Sequence, residues 1–167
     1  VNLTDGLDGL AGTTSTVYFS IILVAVFLAA NSASDAGMTF YAGELESLII
    51  VICSTLGAMG AFLWFNSYKA KIIMGDTGSM ALGGLISAVS MLVKTPHLLV
   101  FAGIMYVVSS ISVILQVVSF KLRKKRIFLM SPFHHHLELK GLNESKIVTF
   151  YSIVTLIGGI VGIIFIL

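Results

Sequence analysis

The sequence predicts an all-α fold, a polytopic bundle of transmembrane helices, on three observations. Hydrophobic residues make up 57% of its 167 positions and charged residues only 11%, against about 25% charged in soluble domains. With a mean hydropathy of +1.02, such a chain cannot cover a water-facing surface, and its first required partner is the lipid bilayer. The charges it has are also clustered. None falls between Asp8 and Asp35, Glu46 and Lys69, Asp76 and Lys94, Lys94 and Lys121, or Lys146 and Leu167. Finally, acidic and histidine residues collect in a few of the connecting segments, as expected where chemistry is confined to one membrane face.

Each gap holds a helix of about 17–25 residues, the length that crosses about 30 Å of hydrocarbon. The predicted spans are 14–31, 46–65, 77–93, 98–120 and 147–167, in a single membrane domain covering 1–167. They must be helices, because an open strand edge in lipid leaves backbone groups unpaired. The fourth is expected to run past Phe120, since Lys121-Leu122-Arg123 contains no helix breaker before Pro132. Cys53, in an apolar run and without a partner thiol, is expected to be a small packing residue. Gly57, Gly60, Gly83-Gly84, Gly158-Gly159 and Gly162 are expected to be close helix contacts.

Orientation follows from the basic residues. Five spans put 1–13, 66–76 and 121–146 on one side and 32–45 and 94–97 on the other. Nine of the ten Lys and Arg residues lie on the first side and only Lys94 on the second, so the first side is expected to be cytoplasmic. Trp64, Phe65 and Tyr68 fall at a helix end, where interfacial aromatics belong. His97, alone at the opposite interface, is expected to be a wetted helix-end residue. The opening Val1-Asn2-Leu3-Thr4-Asp5 lacks an initiator Met and reads as the interior of a functional loop, so the chain is expected to be the C-terminal half of a larger protein.

Three segments on the predicted cytoplasmic side carry residues capable of chemistry. In Asn2-Leu3-Thr4-Asp5-Gly6-Leu7-Asp8-Gly9, the glycines argue for a turn or a loosely wound helix end. Asn2, Asp5 and Asp8 can hydrogen-bond a base edge or a ribose, or the segment simply caps the helix that follows. In Met74-Gly75-Asp76-Thr77-Gly78-Ser79, Asp76 stands at a helix start. There it can cap the amides of Gly78 or Ser79, ligate a hard cation beside a helix N-terminus that favours phosphate, or do both. The third segment opens with the basic run Lys121 to Arg126, explained by topology and anionic lipid alone. It then reads Pro132-Phe133-His134-His135-His136-Leu137-Glu138-Leu139-Lys140-Gly141. Three adjacent histidines point in different directions and cannot all ligate one metal. One or two of them turned inward can donate to a diphosphate.

These segments, together with Trp64-Phe65-Asn66, Ala81-Leu82-Gly83-Gly84 and Ser112-Val113-Ile114-Leu115-Gln116-Val117, occur in an order that resembles the phospho-N-acetylmuramoyl-pentapeptide transferase (MraY) family. That family lies within the polyprenyl-phosphate N-acetylhexosamine-1-phosphate transferase superfamily, and the triple histidine before Leu-Glu-Leu-Lys-Gly is the part that points to it. The resemblance implies transfer of phospho-MurNAc-pentapeptide from UDP-MurNAc-pentapeptide to undecaprenyl phosphate, giving lipid I and UMP with Mg²⁺. It implies a multi-pass protein of the bacterial inner membrane with its active site on the cytoplasmic face and no nucleic-acid partner, and it admits a homodimer.

By the same resemblance Asp76 is the metal ligand and, with His135 and His136, a catalytic residue. Asn2, Asp5, Asp8, Asn66, Gln116 and His134 are implied to bind substrate. The family's adjacent Asp-Asp motif is not within this chain. Ile73 stands where the family often has an aromatic, and Lys69 where it often has Pro.

The nearest alternative is a sister transferase acting on UDP-GlcNAc or another UDP-amino sugar, which the histidine motif argues against. A transporter module would carry charges within its spans, and this sequence has none there. A non-catalytic membrane homologue is the third alternative.

Overall fold

The computed structural model describes residues 1–165, and helices carry most of them, with no strand among the described residues. A 3₁₀ turn at Asn2–Thr4 precedes α1 (Leu10–Asp35), α2 (Thr39–Asn66), α3 (Gly75–Leu92), α4 (Pro96–Phe101), α5 (Ile104–Arg123), α6 (Phe133–Leu139) and α7 (Glu144–Ile164). By length and apolar composition, α1, α2, α5 and α7 are each sufficient to cross a membrane. The chain is therefore a multi-pass helical membrane protein. Residues 166 and 167 of the last predicted span lie outside the described residues.

The core sits around α1, which packs chiefly on α2 and α7. Its Tyr18, Phe19, Ile22 and Val26 are fully buried, whereas α2 turns most of its apolar surface outward. Helices in lipid gain little from excluding water, so close packing and a few hydrogen bonds must hold them together. Here Ser15 pairs with Tyr106 (2.9 Å), Tyr18 with Ser90 (2.7 Å) and Ser109 with Tyr151 (3.3 Å), tying α1 to α5, α1 to α3 and α5 to α7. Each such bond contributes about 0.6 kcal/mol. On α7, a side chain at Gly158 would meet the Phe101 carbonyl, one at Gly159 would meet Ile21, and one at Gly162 would meet Leu98 and Phe101. Those three glycines form the contact face expected of them.

The third predicted span corresponds to α3, which is helical but not among the four most apolar helices, because Gly, Ser and Asp76 dilute it. It nevertheless runs the height of the α1–α2 hairpin. Asn2 contacts Asp76 near its first residue, and Lys94 just beyond its last lies over the Tyr41 ring at the start of α2 (5.0 Å). Eighteen residues rise about 27 Å, enough to connect the two ends.

Several expectations are corrected. The fourth span is not one helix: the chain breaks at Ala102-Gly103 between α4 and α5, where Phe101 presses its carbonyl towards Gly158. As expected, α5 does run past Phe120, to Arg123, where Lys124 takes a left-handed conformation (φ 55°) and ends it. Cys53 is exposed on the outer face of α2 rather than packed. Gly57, Gly60 and Gly84 face open space, so they are not helix contacts, and Gly83 meets only Val1. The His97 Nε2 is shielded and unpartnered rather than wetted.

The ends of the helices sort into two sets. The turn before α1, the end of α2, the start of α3 and α6 meet at one end of the bundle, through the Asp8–Ala70 and Asn2–Asp76 hydrogen bonds and the Gly6–His134 contact. This arrangement predicts that cysteines introduced at Met38 and at Lys125, in a Cys53→Ala background, react with impermeant maleimide from opposite faces of the membrane. Reaction of both from the same face would contradict the traverse of α3.

Candidate functional site

The site end begins with a short turn. Val1 O accepts from the Thr4 amide (2.8 Å) and Asn2 O from the Asp5 amide (3.0 Å), winding Asn2–Thr4 so that the Asn2 side chain leaves toward α3. Its Nδ2 donates to Asp76 Oδ1 (2.8 Å) and to Ser79 Oγ (3.1 Å). Asp76 is the second residue of α3, whose N-cap is Met74, so it is not the helix cap; its carboxylate instead lies beside the α3 amides and accepts from a different segment. Ser79 is fully buried, and its hydroxyl also donates to the carbonyls of Gly75 and Asp76 (3.1 and 3.2 Å). Ser79 was not among the expected site residues. Its signal was the i+3 spacing from Asp76, read only as a capping partner.

Asp5 faces the same place. Partial burial raises its carboxyl above the ordinary range, and the nearby Asp76 charge raises it further. Two carboxylates that repel each other beside a helix N-terminus form a site that favours a cation or a cationic donor. No salt bridge to Lys or Arg neutralises either one among the described residues.

Asp8 and Asn66 act on the connection between α2 and α3. Asp8 Oδ2 accepts from the Ala70 amide (2.9 Å), and the buried Asn66 donates Nδ2 to the Ile72 carbonyl (2.8 Å). Both shape the 67–74 segment, in which Lys69 holds a strained positive φ of 63°. Asp5, Gly6, Asp8, Asn66 and Ile73 line a cavity of about 140 Å³. The Ile73 side chain is 77% exposed at its edge, offering aliphatic contact but no ring to stack on a base.

The three histidines separate as their spacing requires. His134 is 1% exposed and lies edge-on to the Tyr151 ring (6.4 Å). Burial, then the adjacent His135, push its pKa from 6.5 down to about 4, with Glu138 opposing them. His135 pairs its Nδ1 with Glu138 Oε2 (2.9 Å). His136 Nδ1 accepts from the Leu129 amide (3.2 Å), so in the neutral ring the proton sits on Nε2.

Gln116 belongs to this loop too. Its Oε1 accepts from the amides of Ile127 and Phe128 (3.1 and 3.0 Å) and its Nε2 donates to the Phe128 carbonyl (3.1 Å). It clasps the 124–132 connection and borders a separate cavity of about 450 Å³ with Phe120, Lys121, Arg126 and Leu129.

The fold thus unites Asn2, Asp5, Asp76 and Ser79 in one cluster and sets Asp8 and Asn66 beside it. His134 lies behind the Asp5–Asp8 turn, while Gln116 and His136 hold the loop that carries α6. Among the described residues no three His, Cys, Asp or Glu side chains converge as an all-protein metal centre would require.

Comparison with known proteins adds a family. Residues 1–94 match the description of glycosyl transferase family 4. A phospho-N-acetylmuramoyl-pentapeptide transferase of Campylobacter hominis is 44% identical over 164 residues, covering 98% of this chain and 46% of the relative. Those of Clostridium novyi (47% over 162 residues, 97% and 46%) and Staphylococcus carnosus (47% over 163 residues, 98% and 46%) are alike. The chain spans about half the length of these curated relatives.

The buried His134 generates a prediction. Because its folded pKa lies below the unfolded value, its neutral form stabilises the fold. That contribution is complete above about pH 6.5 and is lost as pH falls toward 4, reaching about 2 kcal/mol of loss by pH 5. Side-chain ¹⁵N spectra at pH 5.5 should show His134 as a neutral imidazole; an imidazolium there would contradict its burial.

Proposed function

The chain belongs to glycosyl transferase family 4, and on that premise we propose that it carries the active face of an inner-membrane phospho-N-acetylmuramoyl-pentapeptide transferase. The reaction passes phospho-MurNAc-pentapeptide from its UDP carrier to undecaprenyl phosphate, yielding lipid I and UMP. The observation that carries this reading is the Asn2–Asp76 hydrogen bond. It joins two motifs 74 residues apart into one acidic cluster at the Lys- and Arg-rich end of a membrane bundle. The positive-inside rule makes that end cytoplasmic, the compartment that supplies a nucleotide-activated sugar.

The residues fit a hard cation. Asp5 and Asp76 supply oxygen donors, and the pKa of the Asp5 carboxyl is raised first by its partial burial and then by the neighbouring Asp76 charge. Mg²⁺ is bound through one or two carboxylates with water and substrate phosphates completing its shell, so two protein carboxylates suffice. When bound, Mg²⁺ would neutralise the donor diphosphate and ease departure of UMP.

The remaining chemistry belongs to the chain's own side chains. The α3 N-terminus beside Asp76 favours phosphate oxygens through its free amides. Asn2 holds Asp76 against that helix end, so the carboxylate keeps one orientation. On α6, Glu138 fixes the ring of His135 and leaves Nε2 for a substrate phosphate. His136, accepting at Nδ1, presents Nε2–H as a donor. Asp8 and Asn66 set the 67–74 segment that borders the small cavity, where a nucleoside would sit with Ile73 as its apolar wall.

Asp76→Asn tests the reading. Asparagine keeps the hydrogen-bonding shape but loses the charge a hard cation needs. In membranes of the native enzyme, it should cut Mg²⁺-dependent transfer from UDP-MurNAc-pentapeptide by at least about 100-fold. The protein should remain folded and extractable. Near-normal turnover at ordinary Mg²⁺ would make Asp76 structural.

A further inference from the structure

The acidic turn and the histidine helix meet closely at Gly6 and His134. A Cβ built on Gly6 would collide with the His134 ring at Nε2, with Cε1 and Cδ2 at 3.1 and 3.3 Å. Gly6 is exposed on its outer side, so it forms a thin roof over a ring that is itself 1% exposed. That ring has no freedom to retreat. Tyr151 stands edge-on behind it (6.4 Å), and the His135 ring lies beside it (4.4 Å).

The ring also makes no hydrogen bond: both Nδ1 and Nε2 are buried without a partner. With both ring nitrogens unpartnered, His134 acts here through packing rather than through hydrogen bonds. Its contribution at this position is shape.

We propose that Gly6 and His134 form a steric lock that sets the register between the acidic turn and the histidine helix. The turn bears Asp5 and Asp8 on either side of Gly6, and α6 bears His135 directly after His134. The contact therefore fixes the separation of the two halves of the site to within a methyl group. Neither Gly6 nor His134 is a catalytic residue in this account; both are positioning residues, and His134 acts without transferring a proton. The inference rests on the transferase reading for its kinetic consequence, but the lock itself is a packing relation within the chain.

A double-mutant cycle in the native enzyme in nanodiscs separates the two. Gly6→Ala should lower kcat at least about tenfold, up to roughly 100-fold for a displacement near 1 Å. It should also speed amide hydrogen exchange across residues 133–139. His134→Ala alone removes the ring without crowding and should speed exchange in both segments. In the double variant the added methyl occupies vacated space, so its exchange and kcat should be no worse than those of His134→Ala. This is strong non-additivity.

Two results overturn the lock. One is a Gly6→Ala enzyme with wild-type kcat and exchange; the other is fully additive losses in the double variant. If the wild-type protein transfers no phospho-sugar at all, the functional reading fails instead, and the exchange cycle still decides the lock.

Discussion

A bundle in lipid cannot rely on expulsion of water to bring its helices together, and this constraint organises the molecule. Apolar faces are as well satisfied by acyl chains as by one another, so association depends on small residues and on the few hydroxyls that find partners. The chain meets this with Gly158, Gly159 and Gly162 under Phe101, Ile21 and Leu98, and with three tyrosine–serine pairs distributed over α1, α3, α5 and α7. The polar groups along the middle of the spans are neutral, chiefly Ser, Thr and Tyr hydroxyls, and charge collects at the helix ends. A site built of Asp5, Asp76 and the α6 histidines has nowhere else to form. The membrane places it, and the helix packing sets its dimensions.

Within that frame the site is assembled by side chains that act on one another before they act on any substrate. Asn2 fastens the first turn to α3, Asp8 and Asn66 shape the α2–α3 connection, and Gln116 with His136 holds the loop leading to α6. Ligand-binding groups gain precision when their own positions are locked by such contacts. Asp5 and Asp76 are left with mutually repelling charge and no basic partner among the described residues, an arrangement that favours a cation.

Much of this was legible in the sequence, and the failures have physical reasons. Charge gaps located α1, α2, α5 and α7 because the cost of a buried charge is large compared with any propensity. The motifs around Asp5 and Asp76 could be assigned to one face from the distribution of Lys and Arg. The break at Ala102-Gly103 was invisible because glycine inside an apolar run is as compatible with close packing as with a kink. The end of α5 at Lys124 depends on a left-handed lysine, a conformation no pattern announces. Cys53 and Gly57 were misassigned because sequence shows which residues are small, not which side of α2 has a neighbour. Gln116 stands in a motif, yet its amide is engaged by the backbone of Ile127 and Phe128 in the connection beyond α5, which no sequence pattern announces. Asp76 could be read from its helix-start position as a cap, a cation ligand or both; its contact with the tertiary partner Asn2 could not.

The central claim is that the segment before α1 docks on the N-terminal half of α3 and so unites the two acidic motifs. Val1 and Gly83 report on this contact directly. A Cβ at Gly83 would lie 3.7 Å from the Val1 Cβ, within the about 3.5–4.5 Å that a disulfide requires, whereas one at Gly84 would face open space. In membranes of the native protein with Cys53→Ala, mild oxidation should cross-link a Val1→Cys/Gly83→Cys pair in high yield and leave a Val1→Cys/Gly84→Cys pair unlinked. Equal cross-linking of the two pairs, or none in the first, would contradict the docking and the active face built on it.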